Sequence, residues 1–201
     1  MQWYDKIAKV YDFSSYWFYK KPRKILINGL DLKKGDRILI IACGTGQNFS
    51  LIENKIGKEG EIIAVDISEG MLNEAKKRII KNKWQNIKLI HKDVREINAD
   101  FFEKENININ FDIIIGVLAF SVIPDWKKVI NTSRSLLKKH GKIGLLDWYR
   151  AQNDLITKTV DYFAESKIRR KTLNYTATLF ENFEVKGQYF FDNIYVAIGE
   201  K

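Results

Sequence analysis

Two glycines behind a run of apolar residues carry the strongest chemical signal in this chain. Residues 37–42 read Arg-Ile-Leu-Ile-Ile-Ala and lead into Cys43-Gly44-Thr45-Gly46-Gln47-Asn48. A near-continuous apolar run suits a strand buried on both faces of a sheet. Glycine just after such a strand lets the backbone turn sharply and lets a ligand approach where a Cβ would stand. A helix that follows presents its first N–H groups and its positive dipole end to an anionic ligand group. Asp66 ends a second apolar run, Glu61-Ile-Ile-Ala-Val65. It lies roughly 20 residues past the glycines, where a carboxylate can accept from both hydroxyls of a ribose. Asp93 follows a third run, Ile87-Lys-Leu-Ile90. Open parallel sheets bind ligands outside the carboxyl ends of their strands, so three strand ends aimed at one crevice point to a nucleotide-like ligand.

Two common nucleotide signatures are excluded in detail. A dinucleotide fingerprint needs a third glycine for close helix–strand contact, but Gly46 is followed by Gln47, Asn48 and Phe49. No Gly-Lys-Ser/Thr sequence follows, which excludes a P-loop.

The elements that must position these residues are legible from Asp36 onward, where strand-like runs alternate with amphipathic stretches. A helix through about Lys55 follows the glycines. Ser68 is placed to cap a helix carrying Met71, Leu72, Ala75 and Ile79 at three-to-four spacing. Phe111–Leu118 forms the fourth run. Asp125 is placed to cap a helix with Val129, Ile130, Leu136 and Leu137, which Gly141 ends before a fifth run, Ile143–Asp147. A further helix is expected from about Asn153 to Arg170. Phe183–Phe191 and Ile194–Ile198 flank Asp192-Asn193 and read as a hairpin. The polar stretch from Val94 to Asn110 is expected to hold a short helix around Phe101 and Phe102.

Composition bounds the rest. At 201 residues the chain fits one domain with a sizeable core, and its 45% hydrophobic fraction is that of a globular protein. The longest apolar runs are too short to span a bilayer. No secretory pattern follows Met1, and the only cysteine, Cys43, allows no internal disulfide, which fits a cytoplasmic protein. Two isolated histidines with one cysteine make no zinc site, so no metal is expected. The net charge of +9 favours anionic partners or reflects lysine used for solubility.

With these blocks in order the chain resembles class I S-adenosylmethionine-dependent methyltransferases. It is most similar to the branch that includes ubiquinone/menaquinone and small phospholipid N-methyltransferases. The likeness rests on Ala42-Cys-Gly-Thr-Gly46, Val65-Asp-Ile-Ser-Glu-Gly-Met-Leu72, Asp93-Val94, Phe111-Asp112 with Ile123-Pro-Asp125, Gly141 leading to Leu146, and Tyr11-Asp12. It covers nearly the whole chain. It implies an α/β, Rossmann-like three-layer sandwich: a mostly parallel seven-stranded sheet with a C-terminal antiparallel hairpin. Residues 1–30 would form an N-terminal helical cover and 36–201 the core of a single methyltransferase domain. It also implies roles. Backbone around Ala42, Gly44 and Gly46 would cradle the methionine portion of S-adenosylmethionine. Asp66 would hold the ribose, with Ile67 and Met71 against the adenine. Asp93 and the Val94 backbone would meet the adenine amino edge. Gly116 and Val117 would line the methyl-transfer end, and Tyr11 would close over the cofactor. Two departures stand out: Ile40 occupies the place of an acidic residue in the first strand, and Ser121-Val122 replaces histidines after the fourth.

The acceptor is less defined. Trp3, Tyr4, Ile7, Tyr11, Phe13, Tyr16, Trp17, Phe18 and Tyr19 precede Lys20, Lys21, Arg23 and Lys24. Aromatics beside lysines suit a lid over an apolar acceptor or peripheral contact with a membrane surface, and equally suit helices packed on the domain. The expectation is a small or lipid-like acceptor, such as a quinone or a phospholipid-type amine. Two alternatives are an RNA-directed methyltransferase or RNA-binding protein, from the charge and Lys167-Ile-Arg-Arg-Lys171, and a cofactor-binding protein without catalysis. Methyl transfer from a sulfonium needs mainly proximity and alignment, and Asp147 is a candidate base, a cap or a partner in surface pairing.

Overall fold

The structure is a computed structural model that describes residues 18–148, 171–189 and 193–201. A helix covers residues 18–29 (α1). Strands and helices then alternate: β1 (Arg37–Ile41), α2 (Phe49–Ile56), β2 (Glu61–Asp66), α3 (Glu69–Asn82), β3 (Ile87–His91), α4 (Ala99–Lys104), β4 (Phe111–Val117), α5 (Trp126–Leu136) and β5 (Leu137–Trp148). A short helix, α6 (Thr172–Ala177), precedes β6 (Glu181–Tyr189) and β7 (Ile194–Glu200).

The seven strands form one sheet in the order β3-β2-β1-β4-β5-β7-β6. Pairs through β5 are parallel, and β7 enters antiparallel between β5 and β6. The chain winds outward from β1 to β3, then returns to place β4 on the other side of β1. That reversal opens a crevice at the carboxyl end of β1.

Alternation along the strands explains why the apolar runs are continuous. Leu39, Ile41, Ile63, Val65 and Ile114 pack in one core cluster, while Ile38, Ile40, Ile62, Ala64, Ile113 and Ile115 pack in another. Successive side chains of a strand point to opposite faces, so both faces of this sheet are dry. The first cluster adds Val129, Ile130 and Leu136 from α5; the second adds Leu26, Ile27 and Leu30 from α1 and Phe49, Ile52 and Ile56 from α2. Helix α1 lies so close to the sheet that a Cβ on Gly144 would stand 2.8 Å from Leu30 and 3.0 Å from Leu26.

Several local expectations hold. The Ser68 hydroxyl accepts the Met71 N–H at 3.2 Å and starts α3. Phe101 and Phe102 lie on α4, with the Phe102 ring edge-on to Phe111. The Arg37 guanidinium anchors the end of that long connection by donating to the Asn108 and Ile109 carbonyls. Others need correction. Asp125 precedes α5 in a left-handed conformation (φ 53°) and its side chain makes no capping bond. Strand β5 begins at Leu137, directly after α5, so Gly141 lies inside the strand. The predicted 153–170 helix, Asp192 of the hairpin turn and residues 1–17 lie outside the described residues. No described helix is long and apolar enough to cross a membrane.

Candidate functional site

A cavity of about 310 Å³ opens at the switch point. The chain reaches it from several strand ends: Ala42, Cys43, Gly44 and Thr45 after β1, Asp66, Ile67 and Ser68 after β2, and Asp93, Val94 and Arg95 after β3. Val117 and Leu118 come from the end of β4, and Met71 from the first turn of α3. Most of the residues singled out from sequence therefore line one cavity.

The glycine loop is built on positive φ angles: 51° at Ala42, 57° at Gly44 and 77° at Gly46. The two glycines do different work. A Cβ built on Gly44 meets nothing within 4 Å, so this position leaves open space beside the backbone on the cavity wall. A Cβ on Gly46 would stand 2.4 Å from the Phe49 ring. Gly46 therefore lets α2 start tightly against the sheet and does not line the cavity. Gly116 is similar: its missing Cβ makes room for the Phe120 ring, 2.5 Å away, and only its neighbour Val117 reaches the wall. Tyr11 lies outside the described residues.

Asp66 is 7% exposed. Its carboxylate accepts the Gly44 N–H at 2.7 Å and the Ser68 N–H at 2.9 Å. Burial raises its pKa, and the N–H donors of Ser68 and Gly44 pull the other way. Asp93 differs. The Arg95 guanidinium forks onto both of its oxygens at 2.5–3.0 Å and the Arg95 N–H adds a bond at 2.8 Å. These bonds hold its carboxyl below the usual range, so it stays ionised.

Asp147 is neither exposed nor on the cavity wall. It is fully buried and accepts the Ser121 N–H at 3.0 Å and the Trp148 N–H at 2.8 Å. Burial pushes its pKa up to about 6. The surface-pairing reading is therefore wrong: Asp147 ties the turn after β4 to the end of β5. Cys43 lines the cavity but is buried, with its thiol pKa raised by desolvation first and by Asp66 second.

Sequence reasoning missed Arg23, Gln47 and Asn48, which also line the cavity. A signal for Arg23 existed. It precedes Leu26, Ile27 and Leu30 by three, four and seven residues, so it lies on the buried face of α1. Val122, Ile123 and Pro124 add an apolar part to the cavity lining. Among the described residues no three or more His, Cys, Asp or Glu side chains group as a metal site.

Comparison with known proteins agrees with this architecture. A family profile described as a methyltransferase domain matches residues 32–189. Demethylmenaquinone methyltransferase of Listeria monocytogenes serotype 4a is 25% identical over 148 residues, covering 72% of this chain and 60% of that protein. Its Staphylococcus aureus (strain JH9) counterpart is 26% identical over 144 residues, covering 72% and 55%. The chain thus spans less than two thirds of these relatives. Among solved structures, a SAM-dependent methyltransferase from Aquifex aeolicus superposes with a TM-score of 0.61 at 16% identity, covering 89% of this chain and 88% of that one. Phosphoethanolamine N-methyltransferase 2 of Haemonchus contortus, in complex with S-adenosyl-L-methionine, gives 0.72 at 17% identity, covering 92% and 46%. At those identities the superpositions speak for the fold, and the profile match over most of the chain decides the family: the chain belongs to the methyltransferase domain family.

Proposed function

We propose that this chain transfers a methyl group from S-adenosylmethionine to a small or lipid-like acceptor of the quinone or phospholipid-amine kind. The observation that carries the cofactor reading is the pairing of Gly44 and Asp66 on one cavity wall. Gly44 leaves the space a side chain would fill, and Asp66 sets a buried carboxylate beside it. These residues fit a nucleoside bearing an amino-acid chain. In this reading Asp66 accepts from the ribose hydroxyls, and Ile67 and Met71 lie against the adenine. Asp93, fixed by Arg95, and the Val94 N–H face the adenine edge. Ala42, Gly44 and the turn around Gly46 hold the methionine end, while Val117, beside Gly116, borders the reacting end.

S-adenosylmethionine supplies an electrophilic methyl group when bound; the chain supplies alignment and dryness. Val117, Leu118, Val122, Ile123 and Pro124 form an apolar border on which no described side chain can take a proton. Such a border suits an acceptor that is already nucleophilic or arrives deprotonated, since a general base is needed only where a proton must leave before attack. The curated relatives named for demethylmenaquinone and the fold neighbour named for phosphoethanolamine support these two acceptor classes. Residues 1–30 keep the cover role expected from sequence, although residues 1–17, Tyr11 among them, lie outside the described residues. Their aromatic and basic composition supports peripheral contact with an anionic membrane surface.

The test is transfer of labelled methyl from S-adenosylmethionine to a reduced quinone, phosphoethanolamine and its lipids, RNA and small amines. Label in the quinol or the phospholipid-amine fraction is expected. Label in RNA alone would replace the proposal with the RNA-directed alternative. Cofactor binding without transfer to any of them would favour a silent binding protein. Co-sedimentation with anionic vesicles at low salt, lost at high salt, checks the membrane contact.

A further inference from the structure

We infer that Arg23 and Asn48 together recognise the zwitterionic amino-acid end of the bound nucleoside, Arg23 taking the carboxylate and Asn48 the ammonium. The inference rests on the cofactor reading above and assigns two residues that the glycine-loop and Asp66 pattern does not contain.

Arg23 is only 6% exposed, and it lines the same cavity as Gly44 and Asp66. It is held there by the fold: Leu26 and Leu30 seat α1 against Gly144 of β5, and Arg23 lies one turn earlier, toward the strand ends. The Tyr19 ring lies under its guanidinium at 5.7 Å. A guanidinium stays charged at any physiological pH and offers a planar fork of donors that matches a carboxylate. A buried cation on a ligand cavity is therefore an anion-recognition element in chemical type.

Asn48 supplies an independent observation. It occupies the N-cap position of α2, where an asparagine side chain ordinarily accepts an N–H of the first turn. Here it makes no capping bond. The residue is 5% exposed and lines the cavity, and its Oδ1 is buried with no hydrogen-bond partner. A buried carbonyl without a donor calls for a ligand donor, and an ammonium is the strongest one. Strand β1 offers no acid for that role, because Ile40 is buried in the core. The acids on the wall are engaged elsewhere: Asp66 with Gly44 and Ser68, Asp93 with Arg95. The Arg23 charge favours the carboxylate of the same group.

Isothermal calorimetry with two ligands tests this. S-adenosylhomocysteine carries the amino-acid end; 5′-methylthioadenosine is the same nucleoside thioether without it. Arg23→Met should weaken S-adenosylhomocysteine binding about ten-fold or more and leave methylthioadenosine within about two-fold. Asn48→Ala should show the same selectivity with a smaller loss. If Arg23→Met does not fold, Arg23→Lys keeps the charge without the fork and should still weaken only the amino-acid ligand, several-fold. Equal losses for both ligands would overturn the inference and leave these residues structural. Unchanged S-adenosylhomocysteine affinity in a folded Arg23→Met variant would also overturn it and move Arg23 to an anionic acceptor. Wild-type protein that binds neither nucleoside would fail the cofactor reading itself, an outcome distinct from both.

Discussion

The Asp66 carboxylate accepts the backbone N–H of Gly44 across 2.7 Å, joining the end of β2 to the glycine loop that follows β1. The two positions proposed to flank a nucleoside are thus mechanically coupled. A buried carboxylate that fixes the loop and also accepts ribose hydroxyls makes two kinds of contribution, and substitution should remove both.

Asp66→Ala should weaken S-adenosylhomocysteine binding by about ten-fold or more, as expected for loss of charge-assisted hydrogen bonds. It should also lower stability by about 1–3 kcal/mol, because the Gly44 and Ser68 N–H groups lose their acceptor. Calorimetry and urea unfolding on the same preparation separate the two effects. Undiminished affinity in a folded variant would remove Asp66 from the site.

Gly44 and Gly46 should respond oppositely to alanine. At Gly44 the new methyl meets open space on the cavity wall, so the fold should lose only about 1–2 kcal/mol of left-handed strain while ligand affinity drops sharply. At Gly46 the methyl would collide with the Phe49 ring, adding overpacking to strain for a stability loss of about 2–4 kcal/mol. Urea midpoints and calorimetry of the two variants decide this. A Gly46→Ala protein as stable as Gly44→Ala would contradict the packing role.

The succession of strands along the chain, the glycine turn and the place of Asp66 at the end of β2 are legible because each obeys a local rule: alternation, a turn at a strand end, a carboxylate one strand later. The distinction between Gly44 and Gly46 was not, since it depends on where the Phe49 ring lands after α2 packs. Asp147 was misread for the same reason. Nothing in Leu146-Asp147-Trp148 announces that the backbone of Ser121, distant in sequence, will close over the carboxylate. Arg23 was readable in principle, as an arginine on the apolar stripe of a helix, but the surrounding aromatics and lysines drew attention to a membrane or lid role instead. Asn48 could not have been found, because only the finished structure shows that it fails to cap the helix it begins.

Ala42, like Leu118, is a non-glycine residue that lines the cavity with a positive φ. It holds φ 51°, a conformation that costs a non-glycine residue about 1–2 kcal/mol. Ala42→Gly relieves that strain, and the greater freedom of glycine in the unfolded chain offsets part of the gain. The net expectation is a stabilisation of about 0.5–1 kcal/mol, read from urea unfolding. A loss of stability instead would mean that the Ala42 methyl makes contacts that outweigh its backbone strain.

Asp147 sets a pH dependence whose direction is opposite to that of a salt-bridged carboxylate. Its folded pKa is about 6, against an ordinary value of 3.8, because burial penalises the charge more than the Ser121 and Trp148 N–H groups favour it. The folded state therefore prefers the neutral acid. Stability from this group is complete below pH about 4 and is lost as pH rises through about 6. By pH 7 the loss is about 3 kcal/mol, from a shift of roughly two pH units in a fully buried group. Asp147→Asn cannot titrate, so the difference in stability between wild type and variant should favour wild type most at pH 4 and shrink toward neutral pH. Urea unfolding of both proteins from pH 4 to pH 8 reads that difference directly and cancels the contribution of every other carboxylate. A difference that stays flat, or grows with pH, would show that Asp147 is ionised in the fold throughout and that its hydrogen bonds outweigh its burial.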